Sequence, residues 1–122
     1  MADDADALMQ ALRAFGRDLP GAHGKSPWPG HDDLAVRDKT FAYLSADGEP
    51  FSLSCKLPYT GEVVLARPDA APTGYGLGRS GWVTITPDPA CMPALEEMKD
   101  WVDESYRAQA PKRLVRELDE RD

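Results

Sequence analysis

The stretch Tyr75-Gly76-Leu77-Gly78-Arg79-Ser80-Gly81-Trp82-Val83-Thr84-Ile85-Thr86 delivers a cation and a large aromatic into one strand through a glycine-punctuated turn. Arg79, between Gly78 and Gly81, stands where a side chain and adjacent backbone amides can grip a phosphate, as small turn nests do. It also stands where a residue merely solubilises a hairpin tip. In the strand that follows, Val83 and Ile85 alternate with Trp82, Thr84 and Thr86, which puts the aromatic on the parity expected to meet solvent. In Phe51–Leu57 the apolar Phe51, Leu53, Cys55 and Leu57 alternate with Ser52, Ser54 and Lys56, so Lys56 and Trp82 share the face turned away from a core. A base or a partner's side chain can stack on such an aromatic while a cation holds an anion. Lys39, Lys56, Arg79 and Trp82 are the candidate binding residues. The competing reading covers Trp82 with the segment Gly61–Arg67 or with the C-terminus and leaves Lys56 an ordinary strand residue.

Other residue types offer less. His23 and His31 lie eight positions apart in a loop without ligands at metal-site spacing, and Cys55 and Cys91 form neither a metal motif nor a disulfide framework. Asp3, Asp4 and Asp6 suit a helix start, with Asp4 or Asp6 as its cap. Ser105-Tyr106 has no His or Asp partner to make the serine a nucleophile, so a packing role and a tyrosine hydroxyl bond are expected there. The chain lacks a P-loop, a dinucleotide fingerprint, a Gly-x-Ser-x-Gly elbow and a zinc motif. No catalysis, cofactor or metal is expected.

The elements that must position these residues follow from periodicity. Leu8, Leu12 and Phe15 recur at helical spacing in a first helix ending near Leu19-Pro20-Gly21. From Pro20 to Asp33 the chain reads as turns around a short edge strand near His23–Trp28. Thr40–Leu44 and Phe51–Leu57 are predicted strands, joined into a hairpin by Ser45-Ala46-Asp47-Gly48. In the first of them Lys39, Phe41 and Tyr43 share one parity and Thr40, Ala42 and Leu44 the other, and apolarity alone does not choose between them. Gly61–Arg67 stops before Pro68 as a short helix. After Pro93, Leu95, Met98, Val102, Ser105 and Tyr106 trace one face of a long helix, with Glu96, Glu97, Asp100, Asp103 and Glu104 opposite. Beyond Pro111, Leu114, Val115 and Leu118 can dock a short terminal helix. This order predicts an α+β two-layer sandwich with a mainly antiparallel sheet and helices on one face.

With 122 residues and 42% hydrophobic content, the chain is expected to form one domain over residues 1–122, with a core over 4–110 and a helical tail over 111–122. No apolar run approaches the roughly 18 residues that span a bilayer, so a soluble, cytoplasmic monomer without a membrane partner is expected. The net charge of −7 opposes general nucleic-acid binding. Its distribution is uneven: residues 21–86 hold six basic and seven acidic groups, while residues 87–122 hold six and ten.

Leu19-Pro20-Gly21-Ala22, Lys39-Thr40-Phe41-Ala42-Tyr43, Lys56-Leu57-Pro58, Tyr75 with Gly78-Arg79-Ser80-Gly81-Trp82-Val83, Ser105-Tyr106-Arg107 and Ala110-Pro111-Lys112-Arg113-Leu114 follow one another in an order and spacing that resembles the MmcQ/YjbR family. The resemblance runs from the first helix to about residue 115. It implies a fold similar to the frataxin (CyaY) sandwich and a DNA-binding role through a double-wing motif. The alternative partner for the same open sheet face is a protein or a small ligand. Two positions depart from the family pattern: Asp38 where a glycine is usual, and Arg79 where lysine is frequent, which changes the geometry of any phosphate contact. Iron binding by Asp3, Asp4 and Asp6, by analogy with frataxins, is less economical than helix capping.

Overall fold

The computed structural model describes residues 2–26, 32–46 and 48–121, the side chains of residues 2–4 excepted. Helix α1 (Ala2–Arg17) precedes β1 (Ala22–Lys25), β2 (Asp33–Val36), β3 (Lys39–Leu44) and β4 (Leu53–Lys56). Then come α2 (Gly61–Leu65), β5 (Ala70–Pro72), β6 (Trp82–Ile85), α3 (Leu95–Gln109) and α4 (Lys112–Asp119), with 3-10 turns at Leu77–Ser80 and Pro89–Cys91. The strands form one antiparallel sheet in the order β1-β2-β3-β4-β6-β5. Leu34, Val36, Ala42, Leu44, Leu53, Cys55, Val83 and Ile85 form a single apolar cluster with Met9 and Leu12 of α1 and Met98, Val102 and Tyr106 of α3. The expected α+β sandwich is the observed one. Helix α1 crosses β2 closely at Gly16, where an added Cβ would lie 2.2 Å from Leu34 Cδ1.

Several boundaries differ from expectation for identifiable reasons. Asp4 and Asp6 lie inside α1, which begins at Ala2, so neither is its cap. Strand β2 was not anticipated, because Leu34-Ala35-Val36 is short and its turn into β3, Arg37-Asp38, has no glycine or asparagine. Arg37 itself adopts the left-handed conformation there, at φ 56°. Strand β5 was also unanticipated: it contains Pro72, which is tolerated because β5 is a sheet edge. The edge strand around His23 is β1, while Trp28 and His31 lie outside the described residues, as does Asp47 of the β3–β4 loop. Leu114, Val115 and Leu118 of α4 dock on the core cluster as expected.

A one-residue irregularity in β3 decides which way its side chains face. Leu34 pairs with Ala42 but Ala35 pairs with Thr40, which leaves Phe41 as the extra residue of a bulge. Phe41 is fully buried, with its ring 5.4 Å edge-on from Tyr106 of α3, so Phe41 joins Ala42 and Leu44 on the helix side. The parity shared by Lys39, Phe41 and Tyr43 in the sequence is broken. Lys39 pairs with core residue Val36 on the helix side, while Tyr43 pairs with Ser54 on the opposite face.

Helix α3 secures this bulge. The β3–β4 register ends at Ala42↔Cys55, and at the next position Ser105 Oγ accepts from the Lys56 amide at 2.8 Å and donates to the Phe41 carbonyl at 2.6 Å. One residue further, Tyr106 Oη donates to the Pro20 carbonyl at 2.6 Å, and Gln109 Nε2 donates to the Thr40 carbonyl at 3.1 Å. Ser105 and Tyr106 therefore anchor the helix, as their surroundings in the sequence suggested. Replacing Ser105 by Ala leaves a buried amide and carbonyl without this partner, and urea denaturation should show a loss of about 1–3 kcal/mol.

Arg67 links the segment before β5 to α3. Its guanidinium pairs with Asp69 at 2.9 Å and Glu97 at 3.7 Å and lies 5.8 Å from the Trp101 ring centroid. The hydrogen bond from Arg67 holds the Asp69 carboxyl below its ordinary value of 3.8, against the opposing effect of burial. A carboxyl lowered in the folded state stabilises above its unfolded value, and that contribution disappears as pH falls through the folded value. Asp69→Asn should therefore flatten the acid limb of the stability profile below about pH 4, read from urea melts across that range.

Candidate functional site

Strand register puts Ser54, Lys56, Trp82 and Thr84 on one face, opposite the helices. The predicted openness of Trp82 is corrected by its burial, since only 5% of the residue is exposed. Its ring meets that of Tyr43 at 5.3 Å, tilted by 53°, across β4. Beside them Ser54 Oγ and Thr84 Oγ1 lie 2.7 Å apart, and Thr84 Oγ1 and Thr73 Oγ1 lie 2.9 Å apart. This face is built from an aromatic pair and a hydroxyl chain that satisfy one another. Trp82 does not offer a free ring for base stacking.

Trp82 also forms part of the wall of a cavity of about 450 Å³ between α2 and the 3-10 turn at Leu77–Ser80, shared with Tyr59, Glu62, Leu65 and Pro72. Tyr59 is 87% exposed and Tyr75 wholly so. Arg79 projects from that turn, whose two ends are Gly76 at φ 79° and Gly81 at φ 88°. The amides of Leu77, Gly78, Arg79 and Gly81 donate to the carbonyls of Gly74, Thr73, Gly76 and Gly78. Those four amides already close the turn, which favours the hairpin-tip reading of Arg79 over the anion nest.

Lys39 lies elsewhere. It lines a cavity of about 310 Å³ together with Arg37 and Asp38 of the β2–β3 turn and Ala108, Gln109, Ala110 and Pro111 at the α3–α4 junction. Only Lys56 and Trp82 of the four candidates are direct neighbours, as a cross-strand pair. Lys39 belongs to the helix side, and Arg79 to the turn before β6.

The distribution of ion pairs shows where positive charge is unspent. Arg13 and Arg17 pair with Asp32, Arg67 with Asp69 and Glu97, Lys99 with Glu96, Arg107 with Asp103 and Asp119, and Arg121 with Asp18. Among the described residues, Lys25, Arg37, Lys39, Lys56, Arg79, Lys112, Arg113 and Arg116 make no ion pair. Arg37 in the β2–β3 turn and Lys39 at the start of β3 line the cavity at the α3–α4 junction, and Lys112, Arg113 and Arg116 are exposed on α4, which starts immediately after Pro111 of the cavity wall. Sequence reading missed Arg37, Lys112 and Arg113 as site residues. The available signal was a basic pair in a glycine-free hairpin turn and a helix whose first turn is basic, against the preference of the helix dipole.

Three clusters are structural. Glu104 Oε2 accepts from the Tyr59 and Thr60 amides at 2.9 and 3.1 Å, and Glu104 Oε1 accepts from the Thr60 hydroxyl at 2.8 Å, which ties the segment leading into α2 to α3. Burial, reinforced by the charge of Glu104, pushes the Cys55 thiol up, which keeps it a neutral core group. His23 Nε2 donates to the Arg37 carbonyl at 3.0 Å, tying β1 to the β2–β3 turn. Among the described residues no group of three or more His, Cys, Asp or Glu side chains is placed to hold a metal ion. No described helix is long and apolar enough to cross a membrane.

A family model described as YjbR matches residues 17–108. The chain belongs to the YjbR family. A Deinococcus radiodurans protein of the DUF419 domain type, known from its crystal structure, shares 28% identity with it at a TM-score of 0.65, over 80% of this chain and 74% of that one. A Pseudomonas syringae protein of known structure has the same fold at a TM-score of 0.62 and 16% identity, over 82% of this chain and 97% of its own. None of the curated proteins matches the chain. The YjbR match includes the β2–β3 turn, strands β3, β4 and β6 of the Trp82 face and α3 up to residue 108, whereas α4 lies beyond it. Because Trp82 is packed rather than displayed, Trp82→Ala should cost about 3–5 kcal/mol of unfolding free energy, measurable by urea denaturation.

Proposed function

We propose that this YjbR-family chain is a non-catalytic DNA-binding protein that holds phosphate at the corner between the β2–β3 turn and the start of α4. The observation that carries this reading is that Arg37 and Lys39, both without ion pairs among the described residues, line one concavity of about 310 Å³ whose wall ends at Pro111, immediately before the exposed Lys112 and Arg113 of α4. Phosphate contacts by Arg and Lys supply sequence-independent affinity. The corner replaces Trp82 and the turn of Arg79 as the contact surface, and Lys39 is the one candidate common to both. A protein or small-ligand partner at the cavity beside Tyr59 and Trp82 is the second reading, favoured by the exposed ring of Tyr59 in its wall.

Fluorescence anisotropy with labelled duplex and single-stranded DNA at low salt tests the first reading. Binding should fall between about 10⁻⁴ and 10⁻⁶ M, weaken as salt rises, and be lost when Lys112 and Arg113 are both changed to Glu. No binding tighter than about 100 μM would set the reading aside. Binding that survives the corner variant but is lost in Tyr59→Ala would move the site to the second cavity.

A further inference from the structure

We propose that the outer face of α2, with the groove of about 330 Å³ between it and α3, docks a basic amphipathic segment of a partner protein. No residue lining this groove lines the cavity beside the β2–β3 turn or the one beside Trp82. A five-residue helix on the edge of a sheet needs one apolar side, and Val64, 4% exposed, supplies it. Val63 is superfluous to that packing. It is 75% exposed and stands outside the core cluster that takes in Val64. Valine is also a weaker helix former than lysine, glutamate or glutamine, so neither burial nor helix propensity accounts for it. Tyr59, four residues earlier, and Leu65, two later, are exposed as well. Apolar residues scattered singly are ordinary on a surface, whereas a group bordering a concavity is the form a contact surface takes.

Charge in the groove selects the occupant. Its wall combines Val63, Val64 and Trp101 with the carboxylates of Glu97, Asp100 and Glu104, against one cation, Arg67. Arg67 is already engaged by Asp69 at 2.9 Å and Glu97 at 3.7 Å. Glu104 directs its oxygens to the Tyr59 and Thr60 amides and the Thr60 hydroxyl, so it adds charge at a fixed position. Asp100 is exposed and, like Glu62 of α2, makes no ion pair among the described residues. Two unengaged carboxylates therefore accompany the exposed valine.

A Lys or Arg side chain of a partner can lay its stem along this apolar wall and present its charged head to a carboxylate. An acidic or phosphate-bearing partner meets repulsion from the groove and from the net charge of −7. A metal ion or small cation leaves Val63 uncovered, so the occupant carries an apolar side chain next to its cations. The same net charge speeds the encounter with a basic partner, since opposite fields steer association.

The test uses the full chain and a fluorescein-labelled peptide of about 15 residues, long enough to form a helix, with leucines on one face and lysines on the other. Two companion peptides carry glutamine in place of leucine, or glutamate in place of lysine. Anisotropy should show the leucine–lysine peptide binding about tenfold more tightly than either companion. Val63→Ser, a change at an exposed position with little effect on folding, should weaken that binding about tenfold. Glu62→Lys together with Asp100→Lys should weaken it to a similar extent and flatten its dependence on salt, with urea melts verifying that both variants stay folded. Equal binding of the leucine–lysine and glutamine–lysine peptides would mean plain attraction to an acidic chain and would overturn the proposal. Binding unchanged by Val63→Ser, or none tighter than about 100 μM, would overturn it too. Sedimentation of the chain alone supplies the last arm: self-association abolished by Val63→Ser would assign this face to a second copy in place of a basic partner.

Discussion

The architecture depends on the Ser105 hydroxyl inserted between β3 and β4. Where the ladder would continue with Phe41 opposite Lys56, the serine accepts from one amide and donates to the other strand's carbonyl. A buried peptide group without a partner is costly, so a bulge at Phe41 needs a substitute partner, and α3 supplies it. The consequence extends along β3. Because Phe41 is an extra residue, everything before it is displaced by one position relative to the sheet's faces, and Lys39 emerges beside the end of α3 instead of beside Tyr43 and Trp82. The bulge therefore separates the basic corner from the aromatic face, though three of the residues concerned lie within five positions in the chain.

That separation explains the division of labour between the two sides of the sheet. The face of Tyr43, Ser54, Trp82 and Thr84 closes its own polar groups through adjacent hydroxyls and packs its rings against each other. Tyrosine and tryptophan pairs of this kind add stability beyond the area they bury. The β2–β3 turn and the start of α4 do the reverse: their cations make no ion pair among the described residues, although Asp38 lies beside two of them, and they stand where the backbone or the helix dipole objects. Departures from local preference concentrate at functional places more often than in a packed core. On that physical ground the corner, and not the tryptophan, is the more informative feature of the surface.

Much of the fold was legible because strong alternation and helical spacing leave little choice: Phe51–Leu57, Trp82–Ile85 and the apolar face from Leu95 to Tyr106 became β4, β6 and α3. The strands that escaped, β2 and β5, are three or four residues long and lack the turn glycines or the uninterrupted β-formers that announce a strand. For the site, alternation correctly put Lys56 and Trp82 on one face. It could not report that Trp82 is covered, because parity describes direction and says nothing of what lies beyond the side chain. Nor could it place Lys39, since a bulge inserts a residue without a compositional mark. Lys112 and Arg113 were visible in the chain, but periodicity could not show that the segment before them, ending at Pro111, lies beside the Arg37 turn.

The acidic character of the whole chain does not forbid an anion at the corner, because the relevant quantity is local. At physiological ionic strength charges beyond roughly 8 Å are largely screened for exposed groups. Many carboxylates are in addition already paired: Asp103 and Asp119 are both held by Arg107, at 2.9 and 2.7 Å. This clamp has two effects at once. It ties α4 to α3, the helix whose C-terminal end lines the cavity, and it offsets two of the chain's negative charges. Remote carboxylates still slow the approach of a long polyanion, since that field acts over the whole encounter.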